Sequence, residues 1–331
     1  MKRLLIITIT LLSLVTLWAE ISLTFTNKST YSDNVFQLSD EDLDSHDAGT
    51  EFTYIETSDD LINSSRLSIY SRNQVGNTRY DFYVRGTYDA YLKNTDKSKA
   101  SISTGLGINT RTLDASIMYG FYPGSYVRKY RDKDGTENYE KFEYDKNLYK
   151  INAEYRFTRK AYLLGYLKFE QYYHNEYFTE YDGDAITPGI GLKYSFSELY
   201  LEGWYYYRSY ETHDEIIPDD EISDQSYESN IYSAQIKMKK IRTSKFEYRP
   251  VFDFRYEKRY YDGWDKYHNG REDDTITINP WVKFYLTDYL NITLDYTSKI
   301  RNVSSESQSV VDSKSYQENQ MSISFEVPIK F

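Results

Sequence analysis

The sequence predicts an all-β chain: a transmembrane, up-and-down antiparallel β-barrel of about 14 strands, with 12 or 16 as the neighbouring counts. Three observations carry that prediction. Apolar residues recur at every second position in one segment after another. Tyrosine supplies 38 of the 331 residues, while cysteine is absent. Short and long connections alternate along the chain.

The stretch "YDFYVRGTYDAYL" sets the pattern. Tyr80, Phe82, Val84, Gly86, Tyr88, Ala90 and Leu92 fall on one face, and Asp81, Tyr83, Arg85, Thr87, Asp89 and Tyr91 on the other. A period of two is the signature of a strand with one apolar and one wet face. The same alternation marks 101–111, 113–122, 147–157, 161–173, 185–196, 199–210, 231–239, 244–260, 275–286, 290–301 and 316–331. Weaker segments at 21–31 and 64–72 complete the fourteen, flanking a polar, irregular stretch. Pro250 and Pro280 fall on the apolar face, where the expectation is a local bulge.

Short turns are expected at 110–113, 158–160, 197–198, 240–243 and 287–289, with 73–79 as a longer turn on the same side. Long polar loops are expected at 32–63, 93–100, 123–146, 174–184, 211–229, 261–274 and 302–315. Part of 123–146 reads as a hairpin beyond the bilayer, bent back at Asp132–Gly135.

At the N-terminus, Lys2 and Arg3 precede an apolar run from Leu4 to Trp18 and a small residue, Ala19. This is the layout of an export signal over 1–19, leaving 20–331 as a single barrel domain. The run is shorter than the ~20 residues of a spanning helix. Without Lys2 and Arg3 the formal charge moves from −11 to −13. A mean hydropathy of −0.72 is too polar for an ordinary large core, yet the aromatic content argues against disorder. Without cysteine there is no disulfide framework, no Cys₄ zinc site and no lipid-modified N-terminal Cys.

Alternation alone would also suit a soluble barrel or sandwich. Strand length and aromatic placement favour lipid on the apolar side. Most segments reach the ~9–11 residues that cross a bilayer when tilted. Aromatics gather near the short turns (Phe157, Tyr162, Phe196, Tyr200, Phe284, Tyr285, Tyr289) and near the long loops (Tyr172, Tyr173, Tyr205–Tyr207, Tyr210, Tyr256, Tyr260, Tyr261). Two such belts around an aliphatic band suit the two membrane–water interfaces.

With these strands, the leader and the closing "MSISFEVPIKF", the chain resembles bacterial outer-membrane β-barrel proteins, and at fold level monomeric porins. The resemblance implies an outer-membrane location, periplasmic N and C termini, and lipids as partners. It also implies that Phe331 is the residue read by the barrel-assembly machinery.

With hydrocarbon on the apolar face, the opposite face lines a lumen. Its cationic candidates are Arg85, Lys168, Arg208, Arg249, Arg255, Lys283, Lys299 and Arg301, with Tyr166, Trp204, Tyr206 and Trp281 as flat aromatic surfaces. Cations lining a pore lower the barrier for anions, and aromatic faces suit sugar rings. The expectation is a porin-like channel for passive diffusion of small hydrophilic solutes, leaning to anionic or sugar-like ones. The same charges also suit pairing between neighbouring strands. The alternative is a non-transporting adhesin or structural barrel acting through its acidic loops, such as Ser39–Asp47, Thr212–Asp224 and Asn269–Asp274. A hydrolase comes last: His46, His174, His213 and His268 all lie in predicted loops, and Asp44–His46 and His213–Asp214 match omptin-type proteases over two or three residues only. No metal-spaced His cluster, phosphate-binding glycine loop or basic nucleic-acid patch appears, so neither cofactor, metal nor nucleic acid is expected.

Overall fold

The computed structural model describes residues 20–132, 138–213, 225–263 and 267–330. The leader 1–19 and Phe331 lie outside the described residues, as do 133–137 of the expected hairpin bend and 214–224 of one acidic loop.

Fourteen long strands form one sheet: β1 (Glu20–Ser32), β2 (Asp60–Val75), β3 (Thr78–Tyr91), β4 (Lys99–Asn109), β5 (Leu113–Arg131), β6 (Tyr139–Arg156) and β7 (Ala161–His174), then β8 (Gly183–Ser195), β9 (Leu199–Thr212), β10 (Tyr227–Met238), β12 (Glu247–Tyr261), β13 (Glu272–Thr287), β14 (Leu290–Ser304) and β15 (Tyr316–Lys330). A two-residue piece, β11 (Ile241–Arg242), pairs with Tyr248 and Glu247 inside the turn before β12. Each long strand pairs antiparallel with its neighbours, and β1 closes on β15 from Ser22↔Lys330 to Ser32↔Gln320. The sheet is therefore a closed 14-strand barrel without a free edge. Both described chain ends lie at the end of the barrel that carries the short turns. Fourteen strands ~4.8 Å apart and tilted about 40° give a wall radius of roughly 14 Å to the backbone.

Each of the fourteen expected segments is a strand. The link at 73–79 differs from expectation. Val75 pairs with Thr78, so the turn is only Gly76 and Asn77. Gly76 has φ 60°, the conformation that a two-residue type II′ hairpin requires at its first position. Polar Ser71 and Asn73 hide the end of β2 because its outward face is already leaving the apolar band. Beside Pro250 the pairing slips by one residue as expected, from Lys237↔Val251 to Ile241↔Tyr248, but Pro280 departs from expectation. The β13–β14 register is the same on both sides of Asn279–Pro280 (Ile278↔Ser298, Trp281↔Asp295), so there is no bulge. Pro280 interrupts the ladder without shifting it, and the Asn279 side-chain amide donates to the Tyr296 carbonyl at 2.8 Å instead.

The faces divide as the alternation requires. Ile117, Ile190 and Leu192 are 53%, 58% and 60% exposed on the outer surface. Ser103, Glu170 and Thr187, at inward positions, are buried. An aliphatic exterior of this extent has hydrocarbon as its natural solvent. The expected aromatic belts split by strand parity. Phe157, Phe196, Tyr289, Tyr173, Tyr205 and Tyr260 are exposed outside. Tyr162, Tyr172, Tyr210, Tyr261 and Tyr285 point inward, where they meet cations or other inward rings. A belt residue must lie on the odd or even face that meets lipid, and nearness to a turn does not ensure that.

At the long-loop end, residues 33–59 fold into a cap rather than an irregular loop. Its helix, Asp40–Asp47, starts at Ser39, whose hydroxyl accepts from the Asp42 N–H at 3.0 Å. Phe36, Leu38 and Ile55 form a buried apolar cluster, with Phe52, Tyr54 and Tyr126 packed around it. Arg128 of β5 lies 3.7 Å from Asp42, and the Tyr54 hydroxyl donates to the Lys129 carbonyl at 3.1 Å. Lys97 sits over the Phe36 ring and donates to the Val127 carbonyl at 3.0 Å. Burial lowers the Lys97 pKa to about 8. The helix Gln308–Lys314 packs beside the cap helix and buries Val310. The acidic stretch Ser39–Asp47 is thus a capped helix tied to Arg128, and Asn269–Asp274 contributes an Arg–Asp tie described below.

Candidate functional site

The curvature of the wall shows which side chains meet inside. A contact that skips a strand closes only on the concave side of a bent sheet. Arg208 of β9 reaches Glu170 of β7 across β8. Lys193 of β8 reaches Glu154 of β6 across β7. Lys283 of β13 bonds to Glu326 of β15 at 2.9 Å across β14, and Lys28 of β1 to Asp295 of β14 at 3.1 Å across β15. These residues therefore face the lumen, on the wet face read from the sequence.

Most of the expected cations on the β7–β15 side are neutralised there. Glu170, 3% exposed, gathers Arg208, Lys168 at 2.8 Å and Lys146 at 3.5 Å. Arg208 also donates to the Tyr227 and Tyr172 hydroxyls at 3.0 and 3.3 Å. Glu257 takes Arg255 at 3.1 Å and Arg259 at 3.0 Å. Asp273, 1% exposed, takes Arg271 at 2.8 Å and also Arg301. Buried charges persist only when paired and hydrogen-bonded in this way. Two others lack a carboxylate partner among the described residues. Lys299 lies over the Tyr316 ring at 5.2 Å, and Arg249 lies near the Tyr285 ring at 5.9 Å with no protein partner for its Nε.

The aromatic candidates form a surface with a defined backing. Trp204 and Tyr206 stack with centroids 5.2 Å apart, and Tyr166 meets Tyr206 edge-on at 5.1 Å. Their direct cross-strand partners are Gly191 and Gly189. A Cβ at Gly189 would lie 2.3 Å from Tyr206 Cδ1, and one at Gly191 would lie 2.6 Å from Trp204 Cδ2. The rings lean on bare backbone, which is why β8 carries glycine at these two inward positions. Trp204 Nε1 donates to Glu202 at 2.6 Å. Trp281 stands apart and donates to Asp253 at 2.7 Å, as does the Gln235 amide.

The β2–β6 arc is different. Arg85 donates to the Ser68 and Tyr70 hydroxyls and lies over the Tyr83 ring, with no carboxylate within ion-pair distance among the described residues. Arg66 bonds only to the Thr87 hydroxyl, while Lys99 and Lys150 have no carboxylate partner among the described residues. Against this arc lies a polar cavity of about 390 Å³, with Lys28, Arg66, Lys99, Asp89 and Tyr91 in its wall. Of these, Lys28, Arg66 and Lys99 were not among the expected site residues. For Arg66 the signal was present in the sequence: Ser64, Arg66 and Ser68 alternate with Ser65, Leu67 and Ile69, but the uncertain start of β2 concealed the register; Lys99 fell in the expected loop 93–100, whereas β4 begins at it.

The loop histidines serve as ties at the rim. Asp182 accepts both the backbone N–H and the ring of His174, and His213 pairs with Asp184 at 3.1 Å. His46 contacts Asp47 and the Ile55 carbonyl. Among the described residues no three His, Asp or Glu side chains converge in a metal-binding group.

No family model matches the chain, and no curated protein matches it. Solved structures of similar shape include the outer-membrane channel DcaP of Acinetobacter baumannii (TM-score 0.47, 10% identity, 95% of this chain and 98% of that one). A bacterial polysaccharide outer membrane secretin aligns with TM-score 0.47 and 10% identity over 94% of this chain and 98% of that one. An anion-selective porin from Comamonas acidovorans aligns with TM-score 0.43 and 9% identity over 95% of this chain and 99% of that one. At this level of likeness, the solutes and assembly states of those proteins say nothing about this chain.

Proposed function

We propose that the chain is a porin-like channel of the bacterial outer membrane, passing small hydrophilic solutes by diffusion with a preference for anionic or sugar-like ones. The observation that carries this is the division of solvents: an aliphatic exterior on a closed wall, and an interior of arginine, lysine, carboxylates and hydroxyls. Residues 1–19 act as the export signal, 20–331 form the single barrel domain, and the short-turn end with both termini faces the periplasm. The C-terminal segment, with Phe331 as its last residue in sequence, is the part offered to the assembly machinery. The preference for anions rests on Arg66, Arg85, Lys99 and Lys150, which have no carboxylate partner among the described residues. The Trp204–Tyr206 surface supports sugar contact.

A second reading has its own support. The cap at 33–59 packs across the rim from β15 to β5, as expected of a surface barrel acting through its loops. Planar-bilayer recordings with the purified chain separate the two. Stepwise conductance with a reversal potential toward chloride is expected of the channel. Silent insertions, or firm cation selectivity, would sink it in favour of the surface barrel.

A further inference from the structure

The cavity against the β2–β6 arc has features of a binding place rather than a stretch of water-filled wall. Three cations line it against one carboxylate. Lys28 is already engaged by Asp295 at 3.1 Å. Asp89 accepts a hydrogen bond from the Ser64 hydroxyl at 2.6 Å. Arg66 is held only by Thr87, and Lys99 has no carboxylate in reach among the described residues. Two guanidinium or ammonium groups thus face one half-open recess with at most one acid in its lining to balance them. The remaining lining is mainly hydroxyl and amide, including Thr26, Thr30 and Gln320, together with the Tyr91 side chain.

Position strengthens the case. Gln320 and Gln37 both donate to Glu318, at 2.7 and 3.2 Å, so one cavity residue shares a carboxylate with the cap. The cavity therefore lies where a solute passing the cap would first meet the inner wall. Its volume falls in the range of small-molecule sites. An anion there gains charge-assisted hydrogen bonds that a neutral solute cannot.

We propose that this cavity is a resting site for a small polyhydroxylated anion, its carboxylate or phosphate met by Arg66 and Lys99 and its hydroxyls by the surrounding Ser, Thr and Gln side chains. This rests on the channel reading above and names its solute class.

Titration calorimetry of the full chain in detergent tests it, with sodium gluconate, glucose 6-phosphate and sorbitol as probes at low ionic strength. At least one of the two anions is expected to bind about tenfold or more tightly than sorbitol, and which one binds identifies the anionic group. Arg66→Gln and Lys99→Gln are each expected to weaken that binding about tenfold. Arg66→Lys and Lys99→Arg, which keep the charge, should restore most of it. Arg159→Gln, which removes an exposed cation from the turn between β6 and β7, should leave it unchanged. Circular dichroism and heat-modifiable gel mobility identify variants that have folded. Sorbitol binding as tightly as either anion, neither anion binding, or the Gln variants binding like the parent would overturn the site. Bilayer recordings keep the two proposals apart. A conducting protein without anion binding sinks only the site, and a silent protein that still binds gluconate through Arg66 and Lys99 sinks only the channel.

Discussion

The β2–β4 arc and the β7–β13 arc share one backbone design but leave different shares of their inward charge unpaired. On β7–β13, inward charges come in opposite-sign sets: Lys168 and Glu170 two residues apart, and Arg255, Glu257 and Arg259 in series. On β2–β4, Arg72 and Arg79 share Asp81, but the residues two positions from Arg66 and Arg85, and Ser101 beside Lys99 in β4, are serine, threonine or tyrosine. Neighbours two apart lie on the same face, so the first arc largely neutralises itself, while the second keeps a field at Arg66, Arg85 and Lys99. On the channel reading proposed above, rigidity of the wall and selectivity of the lumen fall to different sectors of one ring.

Breaking the self-neutralised sector should have the largest effect. Glu170→Gln leaves Arg208, Lys168 and Lys146 without their shared carboxylate, and loss of one partner from a buried ionic set costs about 3–5 kcal/mol. Guanidinium unfolding in lipid vesicles, followed by tryptophan fluorescence, measures it. A loss below about 1 kcal/mol would mean that water already screens this cluster. Next comes the packing of that same sector. Gly189→Val pushes a side chain into the Tyr206 ring and should cost about 1–3 kcal/mol. Gly86→Ala, on the lipid face with nothing within 4 Å of its Cβ, should stay within about 0.5 kcal/mol in the same assay.

In the unneutralised sector, Lys99→Glu should act on selectivity and spare stability. One unit charge at solvent-like dielectric is worth about 1 kcal/mol to a passing ion and its reversal about twice that, so the chloride-to-potassium permeability ratio should fall by roughly tenfold or more. Reversal potentials in a salt gradient read this directly, and an unchanged ratio would show that the solute path avoids this arc. The smallest effect concerns the rim. Burial beside Phe142 and Tyr144 lowers the His174 pKa from its usual 6.5, against the opposing pull of Asp182. The unfolded chain then holds a proton that the folded one sheds. The stabilisation is complete above pH 6.5 and is lost as pH falls toward the folded value. Melting midpoints from pH 8 to 5 should drop less in His174→Gln than in the parent, and equal drops would remove His174 from the account.

Much of the barrel was legible because alternation is written locally. The strands around Ile117, Ile190 and Leu192 read without ambiguity, since their apolar sides meet hydrocarbon with no interruption. The Val75–Thr78 hairpin was not, because polar residues at the edge of the apolar band look like loop whether or not they pair. The cap was equally hidden. Phe36, Leu38 and Ile55 are separated by acidic residues and find one another only over the rim. Among the site residues, the facing of Arg208 and Trp204 followed from parity, but Arg66 was missed with the register of β2, and Lys99 because the start of β4 read as the end of a polar loop.

The sequence by itself determined the strands, their two faces and the solvent suited to each, because side-chain direction along a strand depends only on counting by two. Tertiary structure alone decided which charges cancel. Arg208 and Glu170 are 38 residues apart, on strands that do not touch, and they meet because closure and register bend the wall around them. Where that curvature brings cations no acid, as at Arg66 and Lys99, the lumen keeps its positive field.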